Sequence, residues 1–501
     1  MNSSLRGLLM RREYVLLALI TLIGVFLRFA SLLIGFSLQA NLNTSLFPDE
    51  AGFLVAARYF AEGIFPPQYL AYHNSLIVSP MIGGLYALFG VTAFAGRALC
   101  ALFGTLTIPL TYLLCKELFK NEKKALLAAF LLSISFIHRF WTIRALADGP
   151  LTFFFVLSLY LFIRAINSEQ WRWYLWAGIS TVICILVKYP GILIYPIVFL
   201  YLLINIYLKQ LPKKALLYFL FTVAIFAFTI LTLLLSQFLG AFQPLNQITY
   251  FLNILLSGAS NPFYYVFYTF FLNFFGALLI FILLGIVLFH SLKRHSKGDV
   301  LLLSWTAMVF VFFSFYGKSE LYRYLLPAFP ALYLLLSHFF VDFFQKFRFS
   351  VHPFKFSRNS ITAFLVLLVL GGFITAELAL GENLIVQRSM TYGGIYRMST
   401  WLNQNGTQNA CIMAPGNSLA QFEFYTKNNF QYFGLSTGGT EADIWADMQA
   451  ENISYVILSE HFPEILSLPI YTIMFSDSAH YKLNLTILSD YFYTYLFEVI
   501  F

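Results

Sequence analysis

Long apolar stretches alternate with short polar breaks over the first 380 residues, and then the pattern changes. Eleven stretches are long enough to cross about 30 Å of hydrocarbon: 14–36, 94–115, 125–143, 149–166, 173–188, 190–208, 215–237, 270–291, 299–316, 325–344 and 360–380. The third and fourth meet at Asp148-Gly149-Pro150. The fifth and sixth are parted by Lys188-Tyr189-Pro190-Gly191, which reads as a tight hairpin. Two regions are not spans. Residues 37–93 form a long first loop punctuated by Pro48, Pro66, Pro67 and Pro80, and its stretch Glu50–Glu62 has a helical pattern suited to lying along a membrane interface. Residues 381–501 have ordinary composition. Ala410–Ala414, Tyr455–Ser459, Lys482–Leu488 and Tyr491–Ile500 read as strands there, and Trp401–Asn405 and Glu441–Glu451 as helical pieces. The expectation is a polytopic α-helical membrane domain over 1–380, including the first loop, followed by a small α/β domain over 381–501.

Composition agrees. Hydrophobic residues make up 59% of the 501 and charged residues 11%, against about 45–50% and about 25% in soluble domains. A water-soluble enzyme and a disordered chain are excluded. So is a nucleic-acid binder, because the basic residues behind the net charge of +8 are sparse and scattered. Cys100, Cys115 and Cys184 lie in apolar segments and Cys411 stands alone, so neither a disulfide framework nor a CxxC metal pattern follows. Arg6, Arg11 and Arg12 precede an apolar run with no small-residue cleavage site, which reads as a retained first span.

Charge placement gives the orientation. With the N-terminus in the cytoplasm, the inner segments hold 19 of the 31 basic residues: Arg6, Arg11, Arg12; Lys116, Lys120, Lys123, Lys124; Arg164, Arg172; Lys209, Lys213, Lys214; Lys293, Arg294, Lys297; and Lys346, Arg348, Lys355, Arg358. An odd number of spans then puts the C-terminal domain outside. Acidic residues point to chemistry, since a carboxylate at a membrane surface is costly unless used or solvated. In the membrane part the outer side keeps Asp49, Glu50, Glu62, Asp148 and Glu320, with Glu377 near the last boundary. Packing of neighbouring spans would gather Asp49, Glu50 and Asp148 at one outer rim with Lys188, Lys318 and Arg323. Carboxylates there can take a proton from an acceptor, and cations can hold a phosphate leaving group.

These residues carry a resemblance. FPDEAGFLVAARYFAEG (47–63), FGVTAFAGRALCALFGTLTIPLTYLLCKELF (89–119), RALADGPLTFFFVLSLYLF (144–162), WRWYLWAGISTVICILVKYPGIL (171–193) and RYLLPAFPALYLLL (323–336) make the chain similar to membrane glycosyltransferases of the GT-C fold. The group is the one of protein O-mannosyltransferases and the aminoarabinose transferase acting on lipid A (glycosyltransferase family 39-like). The resemblance implies a polyprenyl- or dolichyl-phosphate sugar donor, an extracytoplasmic active site and inversion by direct displacement. It also implies Asp49 as catalytic base with Glu50 beside it, and Asp148 as a second acid shaping the acceptor site. Lys188 and Arg323, with Tyr324 next in the chain, would hold the donor phosphate. Arg97 and Arg58 are further candidates for substrate contact. Where the family often has a His- or Lys-Pro-Pro-like segment, this loop has Tyr72-His73-Asn74-Ser75 and then Ser79-Pro80, which makes His73 the candidate there.

No metal or other cofactor is required by this reading, although Asp49, Glu50 and Asp148 have the hard-oxygen character that suits a divalent ion. The partners implied are the lipid-linked donor, a protein, lipid or glycan acceptor, and membrane lipids. The competing classes are a flippase or transporter for lipid-linked sugars and a glycan polymerase or ligase. A transporter would show inverted repeats or ionisable residues at mid-membrane, whereas the charges here cluster at one face. A bacterial or archaeal plasma membrane is the expected location.

Overall fold

The computed structural model describes residues 3–33, 46–64, 75–238, 278–294, 296–315, 322–346, 370–372, 374–375, 377–378, 392–427, 429–435, 440–462, 466–489 and 492–500. By packing, the chain divides into two compact units. One is Met1–Ser31, Pro66–Val78 and Arg97–Glu382; the other is Leu32–Phe65, Ser79–Gly96 and Asn383–Phe501.

The helices, in chain order, are α1 (Ser3–Leu33), α2 (Pro48–Ala61), α3 (Val78–Phe89), α4 (Ala93–Phe119), α5 (Glu122–Ile134), α6 (Phe136–Thr142), α7 (Asp148–Ser168), α8 (Trp171–Val187), α9 (Ile194–Tyr207), α10 (Lys214–Phe238), α11 (Leu278–Arg294), α12 (Lys297–Phe315) and α13 (Phe329–Lys346). Among the described residues seven helices are long and apolar enough to cross a membrane, or eight if the bent pair α5–α6 counts as one span. The chain is thus a multi-pass helical membrane protein. Its eleven expected spans are not all met by that measure: α8 has 17 residues, and most of 360–380 lies outside the described residues. Burial separates centre from rim. The span Arg323–Gln345 is 89% buried and Lys214–Thr232 17%, so α13 is the hub of this unit and α10 lies at its rim.

The third span, expected as one helix over 125–143, is broken. α5 and α6 meet at an angle of 57°, with no Pro or Gly at the bend. Breaking a helix in an apolar setting orphans backbone groups, and side chains meet three of them, the Ser133 carbonyl and the Phe136 and His138 amides. The Ser135 hydroxyl accepts from the His138 amide at 3.4 Å and from the Tyr333 hydroxyl at 2.6 Å. The Phe136 amide donates to Glu377 at 2.5 Å. Arg28, fully buried on α1, donates to the Ser133 and Gly24 carbonyls, to Thr142 Oγ1 and to His138 Nδ1. Glu377, counted above among outer acids, is therefore part of this bend.

The second unit carries α14 (Gly393–Asn405), β1 (Cys411–Ala414), α15 (Leu419–Thr426), β2 (Gln431–Gly434), α16 (Glu441–Ala450), β3 (Ile453–Ser459), α17 (Pro469–Ser476), β4 (Tyr481–Ser489) and β5 (Phe492–Val499). The strands form one sheet in the order β2-β1-β3-β5-β4, with β1 parallel to β2 and β3, and β5 antiparallel to β3 and β4. Met398, Ile412, Ala414, Phe422, Val456, Leu458 and Leu496 are among its fully buried core. This is the expected small α/β fold, with α2 added to it. Residues 50–58 of α2 are buried without a break. α2 packs on α15 and is approached closely by α3: a Cβ on Gly83 would lie 2.8 Å from the Ala57 carbonyl oxygen.

Candidate functional site

In the membrane unit, two helix ends meet. α7 begins at Asp148, with the chain fed to it from α6 through residues 143–147. Thr142 fixes that junction: a Cβ on Gly104 would sit 2.4 Å from its Cβ, so only glycine lets α4 come this near. α8 ends at Lys188, whose backbone is extended (φ −161°, ψ 130°), and Pro190 starts the 3-10 turn Tyr189–Leu193. A Cβ on Gly191 would meet the Cys184 backbone at 2.6 Å, so the hairpin closes only with glycine at this position. The result is an ion pair of 2.8 Å between Lys188 Nζ and Asp148 Oδ1, with side-chain exposures of 11% and 2%.

Aromatic faces surround the pair. The Lys188 ammonium lies 4.8 Å from the centre of the Tyr324 ring. Arg323 and Tyr324 sit in the 3-10 segment Tyr322–Ala328 that leads into α13. The Arg323 guanidinium is 5.7 Å from the Trp141 ring and 5.6 Å from the Tyr324 ring. Arg144, which sequence reasoning passed over, lies 4.0 Å over Phe140 and 5.9 Å from Trp141. Cations over ring faces are attracted by the ring quadrupole while keeping their charge and most of their donors. Four of the sequence candidates, Asp148, Lys188, Arg323 and Tyr324, therefore come together in one unit. Arg97, in the same unit, is buried near the start of α4.

In the second unit, Asp49 and Glu50 open α2 after Pro48, as acids at a helix N-terminus should. Their surroundings differ. Glu50 is fully buried and its carboxylate accepts from the Phe47 amide at 3.3 Å, capping the helix. Asp49 is exposed. Arg58 is buried and turned toward α15, with Nη2 3.6 Å from Glu423 Oε1 and Nη1 donating to the Glu423 carbonyl at 3.3 Å. Tyr59 donates to the same carboxylate at 2.7 Å. Arg58 thus has a carboxylate partner that sequence reading missed, because it lies 365 positions away. His73, Lys318 and Glu320 fall outside the described residues. Among the described residues no three His, Cys, Asp or Glu side chains gather as metal ligands, and Asp148 is held by an ammonium.

Comparison with known proteins adds the wider frame. A family model described as dolichyl-phosphate-mannose-protein mannosyltransferase matches residues 73–233. An uncharacterized protein of Aquifex aeolicus (strain VF5) is 29% identical over 264 residues, 51% of this chain and 50% of its own, so the chain spans about half the length of that relative. The structure of ArnT from Cupriavidus metallidurans bound to undecaprenyl phosphate superimposes with a TM-score of 0.60 at 15% identity, covering 96% of this chain and 97% of that one. The chain has the GT-C fold. The oligosaccharyltransferase of Archaeoglobus fulgidus gives the same TM-score at 16% identity, over 89% of this chain and 69% of its own. The two neighbours share with this chain the GT-C helical unit, on which the Asp148–Lys188 pair is placed.

Proposed function

We propose that the chain is a glycosyltransferase that moves a sugar from a polyprenyl-phosphate carrier to an acceptor on the outer side of a membrane, with inversion. The observation that carries this reading is the Lys188–Asp148 pair beside Tyr324, with Arg323 over Tyr324 and Trp141. A phosphodiester-linked sugar needs cations that strengthen their hold as charge develops on the leaving phosphate. Lys188 and Arg323 supply them, Tyr324 packs beneath both, and Asp148 holds Lys188 in place.

Asp49 is the base. It takes the proton of the acceptor hydroxyl or amine as that atom bonds to the anomeric carbon. The bond from the anomeric carbon to the phosphate oxygen breaks on the opposite face, and the electron pair leaves with polyprenyl phosphate. Glu50, buried and capping, holds the first turn of α2 that presents Asp49. Residues 1–380 would form the catalytic membrane domain and 381–501 an extracytoplasmic domain that selects the acceptor, with Arg97, Arg58 and His73 as further substrate contacts.

The test is transfer in proteoliposomes with a panel of polyprenyl-phosphate sugars and a mixed acceptor extract. Wild type is expected to release polyprenyl phosphate. Asp49→Asn, confirmed folded, is expected to lose about 10²–10⁴-fold in kcat. Full activity of Asp49→Asn would remove the base assignment, and no turnover of any donor by folded wild type would remove the enzyme reading.

A further inference from the structure

The opposite end of the membrane unit holds a cavity of about 500 Å³ lined by His290, Lys293, Arg294, Asp342 and Gln345. It lies where α11 ends and α13 ends, on the face that carries the basic loops. Beside it runs an ionic network in which Asp299 is fully buried and Arg294 and Asp342 are half-buried. Arg294 Nε and Nη2 donate to the two oxygens of Asp299 at 2.8 and 2.9 Å, and Nη1 donates to Asp342. Lys124 Nζ reaches the other oxygen of Asp342 at 2.5 Å. Ser296 donates to Asp299 at 2.5 Å.

The charges of Lys124, Arg294, Asp299 and Asp342 cancel within this network. Two things are left over at the cavity. Arg294 spends three of its five N–H groups on the two carboxylates, and the carboxylates hold the guanidinium still. Lys293 is exposed, and its ammonium rests 4.4 Å over the Phe289 ring, with no carboxylate bridging to it among the described residues. The cavity wall therefore offers a net positive charge and a guanidinium held in place with two N–H groups not spent on the carboxylates, chemistry that suits phosphate. Directly along α11, Phe289 and Leu292 are 59% and 56% exposed, an apolar flank at the same depth for acyl chains.

We infer that this cavity binds the phosphate headgroup of an anionic membrane lipid in the leaflet on the basic-loop side, with Lys293 and Arg294 on the phosphate and the acyl chains along Phe289 and Leu292. Basic pockets between spans on that face suit such headgroups. The site stands whether or not the transfer reaction proposed above is correct.

Native mass spectrometry of the full chain, titrated with phosphatidylglycerol and with phosphatidylcholine of equal chain length, tests it. Wild type is expected to retain phosphatidylglycerol preferentially. Lys293→Gln should weaken that retention about fivefold, Lys293→Glu should weaken it further, and neither should change phosphatidylcholine. Lys123→Gln removes an exposed cation of the same basic face and should change nothing. Equal losses in Lys293→Gln and Lys123→Gln would overturn the site in favour of general surface charge. Displacement of the lipid from wild type by millimolar inorganic phosphate would overturn the lipid assignment in favour of a free anion.

Discussion

The membrane unit has an ionic cluster at each end of α12 and α13, and the two are built differently. At the basic-loop end, Asp299 is fully buried; its carboxylate accepts from Arg294 twice and from the Ser296 hydroxyl, and its backbone amide donates to Ser296 Oγ. Asp342 joins Arg294 to Lys124, so α5, α11, α12 and α13 are tied together. At the other end, Asp148 and Lys188 share one bond, the Lys188 ammonium faces the Tyr324 ring, and the Arg323 guanidinium faces the Trp141 and Tyr324 rings. A carboxylate bonded by several fixed donors does not trade them for a ligand and acts as a lock. A lysine with a single carboxylate partner and a ring beneath it can exchange that partner for a phosphate. The number of donors per carboxylate thus separates the two roles, where burial alone would not.

The largest expected effect breaks the lock. Asp299→Asn leaves Arg294 short of its bidentate partner inside the unit, and removing one member of a buried pair typically costs about 3–5 kcal/mol. The melting temperature of the solubilised protein should fall accordingly, while KM for the lipid-linked donor in the surviving folded fraction stays unchanged. A raised donor KM with unchanged stability would erase the distinction between the two ends.

The next effect is smaller and distinguishes structure from ligand binding at the other end. Lys188→Met should cost about 1.5–3 kcal/mol, the worth of a charged hydrogen bond whose partner stays buried. Adding Asp148→Asn removes the stranded carboxylate and should restore most of the stability by the double-mutant comparison. Transfer should not return with it, because the cation for the donor phosphate is still missing. Recovery of both stability and transfer in the double variant would reduce the pair to a structural bridge.

The two ends were not equally legible in the sequence. Asp148 and Lys188 could be read because Gly149-Pro150 and Pro190-Gly191 mark where spans stop, so the charges beside them fall at one face. Asp299 and Asp342 read only as flanks of inner loops, and their convergence with Lys124 depends on how α5 packs on α13. The bend at Ser135 left no trace, since its cause is a set of side chains from α1, α13 and the segment around Glu377. In the second unit, β1, β3, β4 and β5 were read at close to their true limits. β2 was not, because four residues, none of them fully buried, carry no alternation to detect. Glu50–Glu62 was read as a helix, as found, but its close packing with α3 and α15 was not legible, because it depends on residues far away in the chain.

The smallest effect sets the floor of the scale, with carboxylates bonded at the solvent surface. Asp443 accepts from the Thr440 amide at 2.6 Å and the Thr440 hydroxyl at 2.8 Å, which holds its carboxyl below the usual range and fixes the first turn of α16. Asp477 is held low first by His480, whose Nδ1 is 2.6 Å away, and then by the amides of His480 and Ala479. A carboxyl with a depressed folded value contributes stability that is present above its ordinary value and is lost as pH falls through the folded one. Acidification below the ordinary aspartate range should therefore loosen the start of α16 and the turn before β4, read as faster amide exchange at residues 440–447 and 477–481. In Asp443→Asn/Asp477→Asn those amides should already exchange faster at neutral pH and change little on acidification. Because the His480 ring is exposed and Asp477 only half-buried, high salt should blunt the Asp477–His480 part of the effect while leaving the Asp299 lock intact. An acid response of equal size in the double variant would mean that the surface carboxylates carry no share of it. The gradation from saturated lock to exchangeable pair to solvated pair would then lose its lowest step.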